Sequence, residues 1–219
     1  MSNFYGLFPE DQVLYSKKWA YFEEAEPINI GGFEKCLLCE KPVSKLEWLP
    51  PFNINLSTKN AKRVGDLIWG TDFPFIISDR FKKIYEEEVL KGLMFGESPI
   101  NITNVPIDIF PSELILHKVK IKWNGARRDD IRSGVFYDGS GCLLCYGGAI
   151  LKKMAQIVIL ENSWNGDDFF QIAGLSGLVV ITEKCRQVLE KCKIQNCFWV
   201  PIENIGYDEK APLLWVINS

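Results

Sequence analysis

Two cysteine pairs carry the strongest chemical signal in this sequence: Cys36 with Cys39, and Cys142 with Cys145, each pair enclosing two leucines. A Cys-x-x-Cys pair places two thiolates on one tight turn, where both can reach a single metal ion. Two such pairs supply the four sulfurs of a closed, tetrahedral zinc site, with no position left for substrate or activated water. The sequence therefore predicts one structural zinc per chain, held by these four cysteines.

The spacing of the pairs differs from that of a compact zinc ribbon. There the second pair follows after about 15 to 20 residues, whereas Cys36 and Cys142 lie 106 positions apart. Tertiary folding must therefore bring the two turns together. The rival interpretation is dithiol redox chemistry, which places a thiolate of low pKa at a helix N-terminus. The leucines between the cysteines, and the lack of an adjacent helix start, disfavour it.

Other patterns for catalysis are missing from the sequence. His117 is the single histidine, and it falls among the apolar positions of a predicted strand, where a partly buried histidine with satisfied hydrogen bonds is favoured over a catalytic base. The phosphate-binding, dinucleotide-binding and nucleophile-elbow motifs are absent. The remaining cysteines Cys185, Cys192 and Cys197 are predicted to be core thiols. The sequence thus predicts a protein that is not an enzyme.

Charge and hydropathy disfavour two classes of partner. The chain has 25 basic and 28 acidic residues, a net charge of −3, so a nucleic-acid partner is disfavoured. The longest apolar run is too short to cross a bilayer, which argues against a membrane partner. The N-terminus lacks the basic start and apolar stretch of a secretory signal, and seven cysteines suit a reducing compartment better than a disulfide framework. A cytoplasmic protein is expected.

Local patterns predict an α+β fold in one domain over residues 1–219, mostly β-sheet with a few short helices. Ser78 is expected to cap a helix whose apolar face includes Phe81 and Tyr85 and which Gly92 ends. Strands are predicted over residues 52–56, 66–70, 75–77 and 93–95, with one or two weaker strands within residues 1–32.

The same order of features returns later in the chain. Thr182 is predicted to cap a second helix, between strands at residues 178–181 and 198–200, and a further strand is predicted at 156–160. Ser78 and Thr182 are separated by 104 positions, close to the offset between the cysteine turns. The chain is therefore interpreted as two pseudo-repeated strand-helix-strand halves, roughly residues 33–110 and 139–206, joined by the four-cysteine zinc site.

Between these halves, residues 113–123 alternate as a long strand, and Lys118, Lys120 and Lys122 are predicted to share its solvated face. A charged loop containing Arg127 and Arg128 follows, and residues 213–217 are predicted to be the last paired strand.

The chain resembles the bacterial double-CXXCG-motif family, related to the immunity proteins of swarming-inhibition and other polymorphic toxin systems. The resemblance covers most of residues 33–205. It rests on the two cysteine pairs, the stretches at residues 65–69, 77–81 and 179–183, and Pro201 beyond them. The glycine that the family has directly after each second cysteine is replaced here by Glu40 and Tyr146. Glycine at that position allows a positive φ and lets N–H groups point at sulfur.

The resemblance implies an immunity function: a non-enzymatic protein that binds a cognate protein toxin and blocks it. A slightly acidic surface would suit a basic toxin, and Trp123, Arg127, Arg128 and Trp164, in or beside predicted loops, are candidate contact residues. The alternatives are a zinc-ribbon-like nucleic-acid or transcription-associated protein and, third, a dithiol redox protein. The sequence leaves the oligomeric state open.

Overall fold

A computed structural model describes residues 3–10, 18–57, 63–70, 75–104, 114–175, 177–210 and 215–217. These residues are mostly β-sheet with two short α-helices, so the α+β prediction is confirmed at this level. The strands are β1 (Phe4–Phe8), β2 (Tyr21–Glu24), β3 (Asn29–Ile30), β4 (Trp48–Leu49), β5 (Phe52–Ser57), β6 (Leu67–Trp69), β7 (Phe75–Ser78), β8 (Leu93–Phe95), β9 (Ile100–Asn104), β10 (Leu116–Ile121), β11 (Phe136–Asp138), β12 (Ile150–Met154), β13 (Phe169–Phe170), β14 (Val179–Thr182), β15 (Phe198–Pro201), β16 (Ile205–Asp208) and β17 (Trp215–Ile217).

The helices are α1 (Asp79–Glu87) and α2 (Glu183–Lys191), and both begin where the sequence predicts. The Ser78 hydroxyl accepts a hydrogen bond from the Phe81 N–H, and Thr182 serves α2 in the same way. These caps satisfy N–H groups that have no partner within the first turn of a helix. The predicted end of α1 at Gly92 is wrong, because the helix stops at Glu87 and the chain first takes a positive φ at Val89.

The strands form four larger sheets, ordered β13-β14-β1-β15, β6-β7-β10-β8, β11-β12-β16-β17 and β2-β5-β9, and a small β3-β4 pair. Successive side chains of a strand point to opposite faces. Phe75 and Ile77 accordingly join one hydrophobic cluster and Ile76 another, while Val180 faces away from the cluster that contains Val179. The sheets that contain β7 and β14 are therefore buried on both faces, which explains the continuous apolar runs of these strands.

Two buried carboxylates tie the helices to the strands. Asp66 accepts hydrogen bonds from the Ser78 hydroxyl (2.8 Å) and from the Gln195 N–H beyond α2 (3.0 Å). At the second helix, Asp168 accepts the matching hydrogen bonds from the Thr182 hydroxyl (2.7 Å) and from the Lys91 N–H beyond α1 (3.0 Å). Each helix start thus shares a carboxylate with the segment that follows the other helix. The pseudo-repeat itself, and the single domain over residues 1–219, stay predictions.

Two local predictions need correction. Residues 156–160 form no strand, and their pairing is a single bridge between Ile159 and Arg128; the preceding residues supply β12 instead. Lys118 does not lie on a solvated face of β10, because its side chain is buried at 8% exposure. Successive side chains of β10 do alternate between its two faces. The face that carries Lys118 is nevertheless covered by a second hydrophobic cluster, which contains Leu116 and Phe52. Residues 213 and 214 of the predicted last strand lie outside the described residues, and β17 occupies its remainder.

Candidate metal centre

The first cysteine turn lies in the loop between β3 and β4. The Cys36 N–H donates to the Lys41 carbonyl (2.9 Å) and the Glu40 N–H donates to the Cys36 carbonyl (2.9 Å), which closes a tight turn. The Leu38 N–H points at the Cys36 sulfur at 3.5 Å. Glu40 takes a φ of 58°, the positive value that glycine adopts without strain.

The second turn, between β11 and β12, repeats these bonds. The Cys142 N–H donates to the Gly147 carbonyl (3.2 Å) and the Tyr146 N–H to the Cys142 carbonyl (2.9 Å). N–H groups of Leu144 and Gly147 point at the sulfurs of Cys142 and Cys145, at 3.4 and 3.3 Å. Tyr146 has a φ of 60°. Both turns therefore adopt the positive φ that glycine favours at this position, although neither has a glycine there.

Folding brings all four predicted ligands together. The sulfurs of Cys36 and Cys142 are 3.8 Å apart, those of Cys39 and Cys145 are 3.5 Å apart, and all four lie within 4.8 Å of one another. Four sulfurs bound tetrahedrally at about 2.3 Å from zinc would be roughly 3.8 Å apart. A disulfide needs about 2.05 Å, and all seven cysteines are free thiols. The four cysteines are arranged to hold a metal ion.

The thiols of the second turn differ in acidity. N–H groups of Cys145 and Leu144 lower the pKa of Cys142 to about 6, whereas burial raises the pKa of Cys145 to about 12. The N–H groups thus favour the thiolate form of Cys142, whereas burial favours the thiol form of Cys145, and metal binding requires the thiolates. A depressed pKa is also expected of a redox dithiol. The two close sulfur contacts, however, join different turns, whereas a redox Cys-x-x-Cys pair forms its disulfide within one turn.

Each turn is anchored to the body of the protein by different groups. In the first loop, Glu34 forms an ion pair with Lys120 of β10 at 2.8 Å. Backbone hydrogen bonds between the two sides of this loop support the turn as well. The Gly31 N–H donates to the Glu47 carbonyl, and the Glu47 N–H donates to the Gly32 carbonyl. This turn is therefore held through its flanking strands rather than through the residue after its second cysteine.

The second turn is anchored through Tyr146. The Tyr146 ring stacks on Tyr137 with centroids 5.8 Å apart, and the Arg128 guanidinium lies 4.6 Å from the Tyr146 centroid. Gly174 makes room for the ring, because a Cβ at that position would lie 3.2 Å from the Tyr146 side chain. Arg128 is buried and donates to Asp130 at 2.8 Å. It does not lie in an exposed loop, so its prediction as a surface contact is wrong.

Three of the four leucines between the cysteines point into solvent, and Leu144 is partly exposed. Leu37 is 92% exposed, Leu38 64% and Leu143 82%. Together with Leu144 they form what we call the leucine surface, which lines a shallow depression beside Arg127. From the sequence, these leucines are only evidence against redox chemistry. Their identical place in both turns was a signal that could have identified them as a surface.

The remaining reactive side chains lie away from this centre. His117 is partly buried and shares a hydrogen bond of 3.1 Å with Asp79, as a satisfied structural histidine would. Cys185 is buried, and burial raises the pKa of its thiol. Burial also raises the pKa of Cys197 to about 12. Cys185 and Cys197 thus lie in the core as predicted, whereas Cys192, predicted with them, is only partly buried.

No protein-family model matches this chain, and no curated protein matches it. Its relationship to the double-CXXCG family therefore stays a prediction from the motifs. Within the described residues, neither helix has the length and apolar character needed to span a bilayer.

Proposed function

We propose that this protein is an immunity-type binding protein that neutralises a cognate bacterial toxin, and that its four cysteines hold a structural zinc. The observation that carries the proposal is the leucine surface. A site closed by four sulfurs leaves no coordination position for catalysis, yet the same two turns present three large apolar side chains to solvent and a fourth, Leu144, in part.

Zinc is the metal that best suits these donors. Tetrahedral thiolate sites take zinc or iron, and N–H groups directed at sulfur stabilise the thiolate charge in either case. Zinc needs no redox partner and commonly serves as a closed structural centre. In such centres metal binding contributes about 10 to 16 kcal/mol, comparable to the whole stability of a domain.

The leucine surface has the character of a contact site. Single exposed leucines are ordinary, but a contiguous apolar patch marks an interaction site. Cross-linking by a metal fixes the leucine turns relative to each other before a partner arrives, which lowers the ordering cost of binding. Burying this patch against apolar side chains of a toxin is how the centre would contribute to affinity.

The nucleic-acid alternative receives less support from the same surface. Arg127 is the one cation among the described residues that line the depression. Nucleic-acid affinity depends on several Lys and Arg contacts to phosphate. The dithiol alternative requires a disulfide to form within one turn, and the cross-turn sulfur contacts favour a shared metal instead.

The test is co-expression with the product of the neighbouring open reading frame in a sensitive host, followed by growth and co-purification. The wild-type protein is expected to restore growth and to co-purify with the toxin at one metal per chain. A harmless neighbour, or a toxic one that this protein neither relieves nor binds, would overturn the immunity function.

A double variant then tests the surface. Leu37→Ser with Leu143→Ser should keep the metal and the melting temperature but weaken toxin binding at least tenfold. Met94→Ser removes an exposed apolar side chain from β8 instead and is the matched control. Unchanged toxin binding by the double variant would place the contact elsewhere.

A further inference from the structure

A cavity of about 310 Å³ lies away from the leucine surface, in the body of the protein. It opens beside β10, near the end of β1 and the segment that leads into β4. Its apolar lining includes Leu7, Trp48, Trp69, Val119 and Ile121. A volume near 300 Å³ with mainly apolar walls is at the lower end of the range for small-molecule sites.

One cation in the lining lacks a counter-charge. Lys118 lines the cavity at 8% exposure. Among the described residues its ammonium has no hydrogen bond or ion pair, and its one polar contact is a cation–π contact with Phe52 at 5.2 Å from the ring centroid. Burying an ammonium without an anionic partner is costly, and burial lowers the pKa of Lys118 accordingly.

The neighbouring charges do not supply the missing partner. Lys120, the next lysine on this face of β10, is itself paired with Glu34 at 2.8 Å, and Glu47 lies 3.9 Å from the same Lys120 ammonium. Glu47 raises the pKa of Lys118 only as a secondary influence, after burial. The cavity thus combines mainly apolar walls with one buried cation that forms no ion pair with any carboxylate of the described residues, although Glu47 also lines the cavity.

We propose that this cavity binds a small organic molecule with an apolar body and a single carboxylate, of the kind represented by a medium-chain fatty acid. The apolar walls enclose the body, and the carboxylate lies next to Lys118. A charge-assisted hydrogen bond to a carboxylate would remove the cost of the unpaired ammonium. Lys45 and Lys120 also line the cavity, but both interact with other groups of the protein. Lys118 is therefore the cation left for a ligand, and one cation suits a carboxylate better than a phosphate dianion, which draws on several donors. This proposal does not depend on toxin binding.

Two tryptophans in the lining provide the readout. Titration of the protein with decanoate, below its critical micelle concentration, should change the fluorescence of Trp48 and Trp69 in a saturable manner at one ligand per chain. 1-Decanol has the same chain without the charge, and we expect it to bind at least tenfold more weakly. Absence of saturable decanoate binding, or equal affinities for the acid and the alcohol, would overturn the proposal.

Variants of β10 identify the cation. Lys118→Met should remove the preference for decanoate over decanol, whereas Lys118→Arg should retain it. Lys122→Met changes an exposed lysine just beyond β10 and is the matched control. Melting temperatures check that each variant is folded. Wild-type decanoate affinity in a folded Lys118→Met variant would show that Lys118 is not the anchor and would overturn the proposal.

Discussion

The two cysteine turns have the same backbone but different support. Both close with the same pair of backbone bonds, and both place a residue with a side chain at a φ near +60°. In the first turn that residue is Glu40, whose exposed side chain makes no hydrogen bond or ion pair with the described residues. In the second it is Tyr146, which packs between Tyr137, Arg128 and Gly174.

This difference shows two ways of meeting one conformational demand. A non-glycine residue in the left-handed region costs of order 1 to 3 kcal/mol. Tyr146 offsets that cost with an aromatic stack and a cation–π contact, each contributing about 0.5 to 2 kcal/mol. Glu40 has no such compensation, and the β3-β4 strands hold its turn instead. The same substitution should therefore have opposite effects in the two turns.

The largest expected effect is shared by both turns. Cys39→Ser and Cys145→Ser each remove one sulfur, and each should abolish stoichiometric metal binding and lose several kcal/mol of stability. The reason is that the centre contributes to folding only when its ligand set is complete. Metal content and thermal unfolding measure this.

Cys192→Ser is the control for these variants, because this half-buried cysteine lies outside the cluster. A stable Cys39→Ser protein with full metal content would mean that the turns do not share one ion.

Tyr146→Gly comes next in size. The glycine relieves the backbone strain, but the stack on Tyr137 and the contact with Arg128 are lost, so we expect a net destabilisation of about 1 to 2 kcal/mol. Chemical denaturation of the metal-loaded protein measures it. Tyr146→Phe, which keeps the ring, should remain close to wild type. A more stable glycine variant would show that the stack does not support the turn.

Glu40→Gly should shift stability in the other direction. Removal of the left-handed strain outweighs the greater chain entropy of glycine in the unfolded state, for an expected gain of about 0.5 to 1 kcal/mol. Glu40→Ala separates this effect from loss of the charge, since alanine keeps the strain. A loss of stability in Glu40→Gly would indicate a contact of the Glu40 side chain outside the described residues.

The smallest effect concerns the direct contact between the turns. The Lys41 ammonium donates to the Gly147 carbonyl at 3.4 Å, and its stem packs on Gly147. Because the contact is long and exposed, Lys41→Met should change stability by less than about 0.5 kcal/mol. A large loss in the same denaturation assay would mean that the turns are joined by this lysine as well as by sulfur.

Local chemistry made much of this protein predictable. Ser78 and Thr182 cap their helices because a hydroxyl at that position meets an N–H three residues later. The cysteine turns follow equally from short-range spacing. Predictions failed where distant segments intervened. Lys118 alternates as a solvated residue would, but it is covered by an aromatic side chain of β5, which pattern alone does not reveal.

The amino-acid sequence by itself determined the four sulfur ligands, the mostly β composition and the helix starts, because each depends on residues a few positions apart. Only the tertiary structure decided which sulfurs face each other, Cys36 with Cys142 and Cys39 with Cys145. It alone also decided that the Asp66 and Asp168 carboxylates connect each helix start with the segment beyond the other helix. It also decided that Arg128 is buried under Tyr146. These contacts depend on how the sheets pack against one another. Hydrophobic periodicity in the sequence reports local structure, so it does not show which distant segments come into contact.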